Sequence, residues 1–366
     1  MEVPSAPSAV IAQALTRIQP TSTLAGTAAA TRQSELTKPP GSLGRLEDLA
    51  TRIAAIRDEA RPHLEQRLIV VAAGDHGVTS QGVSAYPTEV TGQMVANFLA
   101  GGAAINVLAD HAGARVRVVD AGVATDTGAH PALEALRLGA GTADISVGPA
   151  MSRDLAERAL AFGITLVDDE RTARGLDLVG CGEMGIGNTT SAATIVAAVT
   201  GRAVATVTGR GTGIDDAMHT RKIEAIETAL RVNAPAPRDG VELLSKVGGF
   251  EIGVLAGIYL GAASRRVPAV VDGLISGAAA LIAVSIAPQT GDYLIASHRS
   301  PEPGHTATLE WLGLDPLLEL DLRLGEGSGA ALGMTLCVAA TRLLDEMATF
   351  GDAGVADSDV VVEPEG

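Results

Sequence analysis

The sequence predicts an α/β protein built on a doubly wound, mainly parallel sheet. Short runs rich in β-branched residues alternate with helix-like segments, and each run is followed by glycine or aspartate. Strands that alternate with helices form βαβ units, which build parallel sheets. The composition agrees with this, because hydrophobic residues make up 46% of the 366 residues and charged residues only 19%. A chain of this composition can bury a large core.

The predicted elements follow in chain order. Apolar spacing near 3.6 residues predicts helices at residues 5–18 and 43–56. Strands are then predicted at residues 68–73, 115–120, 164–167, 203–208 and 267–272. Helical patterning returns from about Leu312 and includes residues 328–347, whereas residues 351–366 form an acidic segment that we expect to be a frayed tail.

Composition also excludes several classes of protein. Acidic residues outnumber basic ones by 43 to 27, giving a net charge of −16, and aromatic residues are scarce. Nucleic acids favour clustered cations and aromatic stacking surfaces, so we expect no nucleic-acid partner. The two cysteines, Cys181 and Cys337, are too few for a disulfide framework and indicate a reducing, cytoplasmic location.

No membrane association is expected. The N-terminus lacks the basic and apolar regions of a signal peptide. The longest uncharged apolar run, residues 273–288, is shorter than the roughly 20 residues that span a bilayer. We interpret it as a buried helix, with a membrane span as the alternative.

The end of the first predicted strand carries a charged pair. Residues 68–78 read LIVVAAGDHGV, so Asp75 and His76 follow a buried strand directly. They suit an active-site loop, and with His298 and His305 they are candidate metal ligands. The alternative is structural, with Asp75 capping a turn and His76 hydrogen-bonded, since no known metal-binding spacing is present.

Residues 180–191, GCGEMGIGNTTS, are the most informative segment. The glycines permit close backbone approach, and the hydroxyl residues precede an apolar helix whose N-terminus favours an anion. A phosphate site is one interpretation, and a glycine-rich turn with a helix cap is the other. Glu183 is unusual there, because a phosphate would repel it unless it faces a ribose hydroxyl or a cationic ring.

Two further polar segments are candidates for the site. Residues 208–215 (TGRGTGID) form a second glycine loop, and the following helix carries Arg221 and Lys222, which either neutralise a phosphate or lie on a solvated face. Residues 297–305 (SHRSPEPGH) are predicted to form a polar loop containing Glu302 and two histidines.

Glu326 stands between two glycines at the start of a predicted helix, in residues 322–334 (LRLGEGSGAALGM). A single carboxylate that a ligand can approach suits general-base catalysis. The alternative is a glutamate favoured by the helix dipole.

Together these segments resemble the nicotinate-nucleotide:dimethylbenzimidazole phosphoribosyltransferase family. The matching strings occur in the family's order over roughly residues 35–345. They are KPPGSLGRLEDLA, GDHGV, GVSAYP, GGAAIN, GEMGIGNTT, GRGTG, DGLIS, EPGH and LGEGSGAAL.

The resemblance implies a three-layer, Rossmann-like α/β domain and a smaller helical domain formed by segments near both termini. We expect residues 1–65 to form the N-terminal helices of the small domain and residues 66–310 the catalytic domain. Residues 311–350 would pack on the small domain and carry Glu326, before the flexible tail at 351–366. The family also implies a homodimer with its sites near the dimer contact.

The implied reaction transfers phosphoribose from nicotinate mononucleotide to 5,6-dimethylbenzimidazole, with no metal and no other cofactor. It gives α-ribazole 5′-phosphate and nicotinate, with inversion at the anomeric carbon. By resemblance, Glu326 is the general base and Glu183 the second active-site glutamate. The implied phosphate-binding residues are Gly185, Ile186, Gly187, Asn188, Thr189, Thr190 and Lys222. The implied base-binding residues are Ser84, Tyr86, Gln93, Met94, Leu324 and Gly325.

Two other functions stay open at this point. A metal-dependent hydrolase of a small phosphorylated metabolite would use Asp75, His76, His298 and His305. A binding protein without chemistry would be expected to have lost Glu183 or Glu326, and both are present.

Overall fold

A computed structural model describes residues 6–211 and 213–356. Its sheet has six parallel strands in the order β3-β2-β1-β4-β5-β6. The strands are β1 (Arg67–Gly74), β2 (Arg115–Gly122), β3 (Leu133–Ala135), β4 (Leu178–Met184), β5 (Ala269–Val271) and β6 (Leu294–Ala296).

Fifteen α-helices and two 3₁₀ helices occur in the described ranges. The helices before β4 are α1 (Pro7–Arg17), α2 (Thr23–Glu35), α3 (Arg45–Arg57), η1 (Gly77–Gln81), α4 (Glu89–Leu99), α5 (Ala104–His111) and α6 (Arg153–Arg174). Those between β4 and β6 are α7 (Asn188–Thr200), α8 (Val204–Val207), α9 (Asp216–Asn233), α10 (Gly240–Val247), α11 (Phe250–Ser264), α12 (Leu274–Ile286) and η2 (Pro288–Tyr293). The last three are α13 (Pro303–Leu312), α14 (Ser328–Glu346) and α15 (Phe350–Ala353).

The strand order confirms the doubly wound parallel sheet. From the central pair β1 and β4, the chain proceeds outward through β2 and β3 on one side and through β5 and β6 on the other. Because parallel crossovers are right-handed in nearly all proteins, the helices of the two halves cover opposite faces. The centre of the core is α11, which is buried along its whole length and packs against β1, β2, β4 and β5.

Three of the predicted strands are present as β1, β2 and β5, but two predictions are wrong. Residues 164–167 lie inside α6, because buried Ala156, Leu160, Ile164 and Val167 recur every three or four residues and form one helical face. Residues 203–208 contain only the single helical turn α8. There the hydroxyls of the threonines donate to backbone carbonyls one turn earlier, which favours a helical turn over a strand.

Strand β4 was not predicted, although it lies in the centre of the sheet. Its sequence, LVGCGEM, has two glycines, which strands usually disfavour. Both are required by packing: a β-carbon on Gly180 would lie 2.9 Å from Met334 Cε, and one on Gly182 would overlap the backbone of Glu326.

The chain divides into two compact units. The first comprises Met1–Pro20 and Glu65–Met334 and contains the whole sheet, and the second comprises Thr21–Leu64 and Thr335–Gly366. Within the second unit, α2 packs on α3, and Arg32 donates to the backbone carbonyl of Leu344 at 2.6 Å. The predicted tail includes α15, whereas residues 357–366 lie outside the described residues, so the expectation for them stays a prediction.

The apolar run at residues 273–288 forms α12, whose residues Leu274–Ala283 are all buried. The structure therefore supports the buried helix over a membrane span there. In the described ranges, one stretch, Glu89–His111, has the length and hydropathy of a membrane span, and 28% of its apolar segment is buried. It consists of two helices, since α4 ends at Leu99 and α5 begins at Ala104, and composition alone is weak evidence for a span.

Candidate active site

The candidate site lies beyond the carboxyl ends of the central strands β1 and β4. Doubly wound sheets bind ligands where the strand order reverses, and here that point lies between these two strands. Ala73 of β1 and Met184 of β4 are register partners. The loops GDHG and GIGN, which follow these residues, are therefore brought side by side.

Glu183 is the carboxylate near the end of β4, and only 6% of it is exposed. Asn188 Nδ2 donates a hydrogen bond to one carboxylate oxygen, and the other lies so close to Gly325 that a β-carbon there would overlap it. Burial, together with the charges of Asp272 and Glu251, raises the pKa of Glu183 to about 8. Glu183 therefore holds a proton at neutral pH unless a positive charge comes beside it.

The predicted phosphate loop connects β4 to α7. Gly187 has a φ of +94°, a conformation that favours glycine, and it is followed directly by the first turn of α7. The backbone N–H of Ile186 donates to Thr91 Oγ1 at 3.1 Å, which fixes the loop to α4. The first N–H groups of a helix lack intrahelical acceptors and point at whatever lies beyond its N-terminus. An anion binds favourably there.

Lys222 extends from α9 to the same helix start. Its Nζ donates to Thr189 Oγ1 at 2.9 Å and to the carbonyl of Gly209 at 3.3 Å, and the residue is 1% exposed. Burial lowers the pKa of Lys222 to about 8, while the charge of Glu302 acts in the opposite direction. The loop and Lys222, identified separately in the sequence, thus form one cationic end of the site.

Two adjoining cavities occupy this region. The larger has a volume of about 120 Å³ and is lined by Glu183, Met184, Gly185, Ile186, Asn188, Thr189, Gly211, Gly273, Leu274, Ile275, His298, Ser300, Glu302, Leu322, Arg323, Leu324 and Gly325. The smaller has a volume of about 50 Å³ and is lined by Val83, Ser84, Gly185, Ile186, Gly187, Asn188, Thr189, Arg210, Gly211, Ile214 and Lys222. The cavity beside Glu183 and the cavity beside Lys222 therefore share the walls formed by the phosphate loop and Gly211.

Glu326 lies in a strained loop before α14. Its φ is +63°, between Gly325 at +82° and Gly327 at +87°, and a non-glycine residue adopts this region at an energetic cost. Asp272 stabilises the loop, since its carboxylate accepts from the backbone N–H groups of Gly327 at 3.2 Å and Ala330 at 2.9 Å. A strained backbone conformation that a buried carboxylate stabilises indicates that Glu326 has a function.

The Glu326 side chain points toward the start of α5. The backbone N–H of Ile105 donates to its carboxylate, and Oε2 is buried with no hydrogen-bond partner among the described residues. Burial raises the pKa of Glu326, the hydrogen bond from Ile105 lowers it, and the charge of Asp272 raises it. Glu326 does not line either cavity; its backbone packs on Gly182, and Gly325 is the neighbour that reaches the larger cavity.

The six predicted base-binding residues are only partly brought together. Ser84 lines the smaller cavity, and Leu324 and Gly325 line the larger one. The other three line neither: Tyr86 is 50% exposed, and Gln93 and Met94 lie on α4.

Comparison with known proteins assigns this site to a family. A family model described as phosphoribosyltransferase matches residues 18–355. The nicotinate-nucleotide:dimethylbenzimidazole phosphoribosyltransferase of Chloroflexus aggregans is 60% identical over 348 residues, which cover 95% of this chain and 98% of that protein. The chain belongs to the nicotinate-nucleotide:dimethylbenzimidazole phosphoribosyltransferase family. The resemblance predicted from the sequence motifs is confirmed.

Solved structures of the family give the same result for the fold. The crystal structure of the nicotinate-nucleotide:dimethylbenzimidazole phosphoribosyltransferase from Thermus thermophilus matches this chain with a TM-score of 0.86 and 45% identity. The match covers 92% of this chain and 99% of that one. A structure of CobT from the same organism matches with a TM-score of 0.87 and 46% identity, covering 91% of this chain and 99% of that one. The relative from Desulforudis audaxviator is 52% identical over 349 residues, covering 95% of this chain and 99% of that protein.

In this phosphoribosyltransferase chain the GDHG motif forms a buried hydrogen-bond network. The two ring nitrogens of His76 lie 2.7 Å from Glu251 Oε1 and 3.0 Å from Ser191 Oγ. Asp75 accepts from Thr91 Oγ1 at 2.6 Å, and Thr91 in turn holds the backbone of the phosphate loop. Asp75 therefore helps to hold the phosphate loop in place through Thr91.

The histidines of residues 297–305 also have protein partners. His298 Nδ1 lies 3.0 Å from Ser297 Oγ, and His305 Nδ1 accepts from the backbone N–H of Ser300 at 3.0 Å. Within residues 6–211 and 213–356, no group of three or more histidine, cysteine, aspartate or glutamate residues is arranged to hold a metal ion.

Sequence patterns alone do not indicate that Asp272 holds the loop of Glu326, or that Glu302 lines the larger cavity and raises the pKa of Lys222. In the sequence, Asp272 is the last residue of a predicted strand and Glu302 is part of a predicted polar loop. Both belong to strings that identified the family, DGLIS and EPGH. A carboxylate at the carboxyl end of a predicted parallel strand was the available signal for Asp272, because such positions face the ligand edge of the sheet.

Proposed function

We propose that this chain transfers the 5-phosphoribosyl group of nicotinate mononucleotide to 5,6-dimethylbenzimidazole. Nicotinate leaves, and α-ribazole 5′-phosphate forms with inversion at the anomeric carbon. Membership of the family supports this reaction, and the arrangement of the site supports a role for each group.

The phosphate is assigned to the N-terminus of α7 and to Lys222. Gly185, Ile186, Gly187, Asn188, Thr189 and Thr190 supply the loop and its hydroxyl groups. Lys222 holds its ammonium against Thr189, so one positive charge and a helix dipole act on the same anion. This binding fixes the ribose relative to the end of β4.

Glu183 is assigned to the ribosyl cation that develops as nicotinate leaves. The bond from the anomeric carbon to the pyridinium nitrogen breaks, and its electron pair neutralises the ring, so the leaving group needs no proton. The transition state then carries positive charge on the sugar, as in glycoside cleavage. The cationic substrate favours the ionised form of Glu183, and the buried carboxylate stabilises the positive charge.

Glu326 is assigned as the general base. The unprotonated nitrogen of dimethylbenzimidazole forms the new bond to the anomeric carbon, and its other ring N–H becomes acidic. Glu326 accepts that proton. The observation that carries this assignment is the buried Oε2, which has no hydrogen-bond partner among the described residues while a backbone N–H holds the carboxylate in place.

The base-binding slot is proposed to include Ser84, Tyr86, Gln93, Met94, Leu324 and Gly325. An aromatic base with two methyl groups requires a largely apolar slot and a polar anchor. Of this set, Leu324 and Gly325 lie next to Glu183 and directly before Glu326, which suits a base between the two carboxylates.

The test is to incubate the purified protein with nicotinate mononucleotide and a panel of benzimidazoles, purines and phenols. Products are identified by mass spectrometry. We expect α-ribazole 5′-phosphate and nicotinate in equal amounts, with turnover unaffected by EDTA. Release of inorganic phosphate or ribose phosphate without a base, inhibited by EDTA, would favour the metal-dependent hydrolase instead.

The homodimer, the cytoplasmic location and the division into a catalytic and a helical domain are further parts of this proposal. The two buried free cysteines support a reducing compartment. Sedimentation of the purified full-length chain tests the dimer.

A further inference from the structure

The polar segment at residues 297–305 has no role in the reaction as proposed so far. Glu302 directly precedes α13, and its carboxylate faces the second glycine loop. Its Oε1 accepts from the backbone N–H of Gly211 at 2.8 Å. Its Oε2 is buried without a hydrogen-bond partner among the described residues, and a β-carbon on Gly209 would overlap it.

The same glycine loop holds Lys222 in place. Lys222 Nζ donates to the carbonyl of Gly209 and to Thr189 Oγ1, and a β-carbon on Gly211 would lie 3.9 Å from Nζ. The ammonium is therefore located by two groups, one on α7 and one on the loop that Glu302 contacts. A displacement of that loop would move one of its two anchors.

The charges point to the same pair. A buried ammonium is costly unless an opposite charge lies near it. Glu302 is the carboxylate whose charge acts on Lys222, and it raises the pKa of that lysine. Of the helices packed on α9, α7, α8 and η1 contain no charged side chain, and Glu242 and Lys246 of α10 pair with each other. Of the nearby charged groups, Arg210 pairs with Asp216 and His219 bonds to a backbone carbonyl.

We propose that Glu302 is a positioning residue of the phosphate site: it anchors the loop at Gly209 and Gly211 and thereby fixes Lys222 for the phosphate of the nucleotide. This inference rests on the proposed function. It gives the EPGH motif a task in binding nicotinate mononucleotide, in which the glutamate acts through the glycine loop and Lys222.

The first experiment compares Glu302→Ala and Glu302→Gln with the matched control Glu310→Gln. Glu310 lies on α13, the helix that Glu302 directly precedes; it is exposed and pairs with Arg202. In Glu302→Ala we expect KM for nicotinate mononucleotide to rise about tenfold, the usual effect of removing one hydrogen bond to a charged group. We expect kcat to stay within about threefold of the wild-type value and KM for dimethylbenzimidazole to be unchanged. The control Glu310→Gln should have wild-type values of all three constants.

A second experiment uses the contact between Glu302 and Gly209. Gly209→Ala introduces a methyl group into the space that the carboxylate fills, so it should raise KM for nicotinate mononucleotide on its own. In the double variant with Glu302→Ala that space is vacated. The methyl group should then add little, and the two effects should be clearly non-additive.

A pH profile separates positioning from a purely structural role. Phosphate binding requires protonated Lys222, whose pKa of about 8 predicts that kcat/KM falls as the pH rises through this region. Since the charge of Glu302 raises that pKa, Glu302→Gln should move the alkaline limb of the profile to lower pH. The Glu310→Gln control should leave it in place.

Several results would overturn the inference. They are an unchanged KM in folded Glu302→Ala, a loss confined to kcat, additive effects in the double variant, or an alkaline limb that does not move in Glu302→Gln. If Glu302→Ala does not fold, the single variants Gly209→Ala and Glu302→Gln decide. Calorimetric titration with nicotinate mononucleotide alone keeps this test separate from the reaction, because binding is measured even if no transfer to a base is found.

Discussion

Replacing Glu183 with glutamine should make the protein more stable and less active. Glu183 is buried, and its pKa is raised to about 8 chiefly by burial. In the unfolded chain the same group has an ordinary pKa near 4.5. Between these two values the folded protein holds a proton that the unfolded chain releases, so the free energy of unfolding falls as the pH rises through this window.

The size of the effect follows from the two pKa values. A pH of 7 is about 2.5 units above the pKa of Glu183 in the unfolded chain, and each pKa unit corresponds to about 1.4 kcal/mol of free energy. Glu183 therefore costs up to about 3 kcal/mol of stability at pH 7. Glutamine cannot ionise and keeps a similar shape, so Glu183→Gln should recover most of this amount at pH 7 and little of it at pH 4.5.

Urea unfolding of the wild type and Glu183→Gln at several pH values between 4.5 and 8 measures this difference. The exposed Glu310→Gln serves as the control and should follow the wild type. The same variant should lose about 10²–10³ in kcat, because a neutral amide cannot balance the developing ribosyl cation. A stability difference that is constant with pH would refute the assigned pKa, and a near-normal kcat would refute the electrostatic role.

Three other substitutions test the remaining assignments. Glu326→Gln should lower kcat about 10²–10⁴-fold in steady-state assays without loss of fold, because an amide cannot accept the proton; near-normal turnover would remove the general base. Lys222→Ala should raise KM for nicotinate mononucleotide about tenfold or more with a smaller change in kcat, and an unchanged KM would place the phosphate elsewhere. Asp272→Asn should lower kcat about tenfold in the same assay, since its amide cannot accept both backbone N–H groups of the loop that carries Glu326; full activity would show that the loop needs no such anchor.

Local patterns were sufficient for much of the fold. The β-branched runs identified β1, β2 and β5, because a strand buried on both faces reads as a continuous apolar segment. The run at residues 164–167 has the same appearance but belongs to the apolar face of α6, since four apolar residues fit either period. Strand β4 was not recognised because its glycines make room for the Glu326 loop and for the start of α14, which lie about 150 positions later in the chain.

The site shows the same division between local and non-local information. The loop after β4 was identified as a candidate phosphate site because glycines, hydroxyl groups and a helix start carry a local signal for an anion, whereas the choice of Lys222 over Arg221 came from the family resemblance. The anchoring roles of Asp272 and Glu302 depend on backbone N–H groups of distant segments. No spacing in the sequence indicates such partners. Tyr86, Gln93 and Met94 were proposed as base-binding residues only from resemblance, and they line neither of the two cavities at the site.

The two glutamates differ in ways that suit two different tasks. Glu183 accepts its hydrogen bond from the side chain of Asn188, whereas Glu326 accepts from a backbone N–H and keeps one oxygen without a partner among the described residues. Asp272 raises the pKa of both carboxyl groups, so a single buried charge acts on both ends of the reaction. Glu183 is then neutral until a cationic ring arrives, and the buried Oε2 of Glu326, which has no partner among the described residues, is the acceptor proposed for the base N–H. Two titratable groups with separate environments are how one site supplies both electrostatic stabilisation and a base.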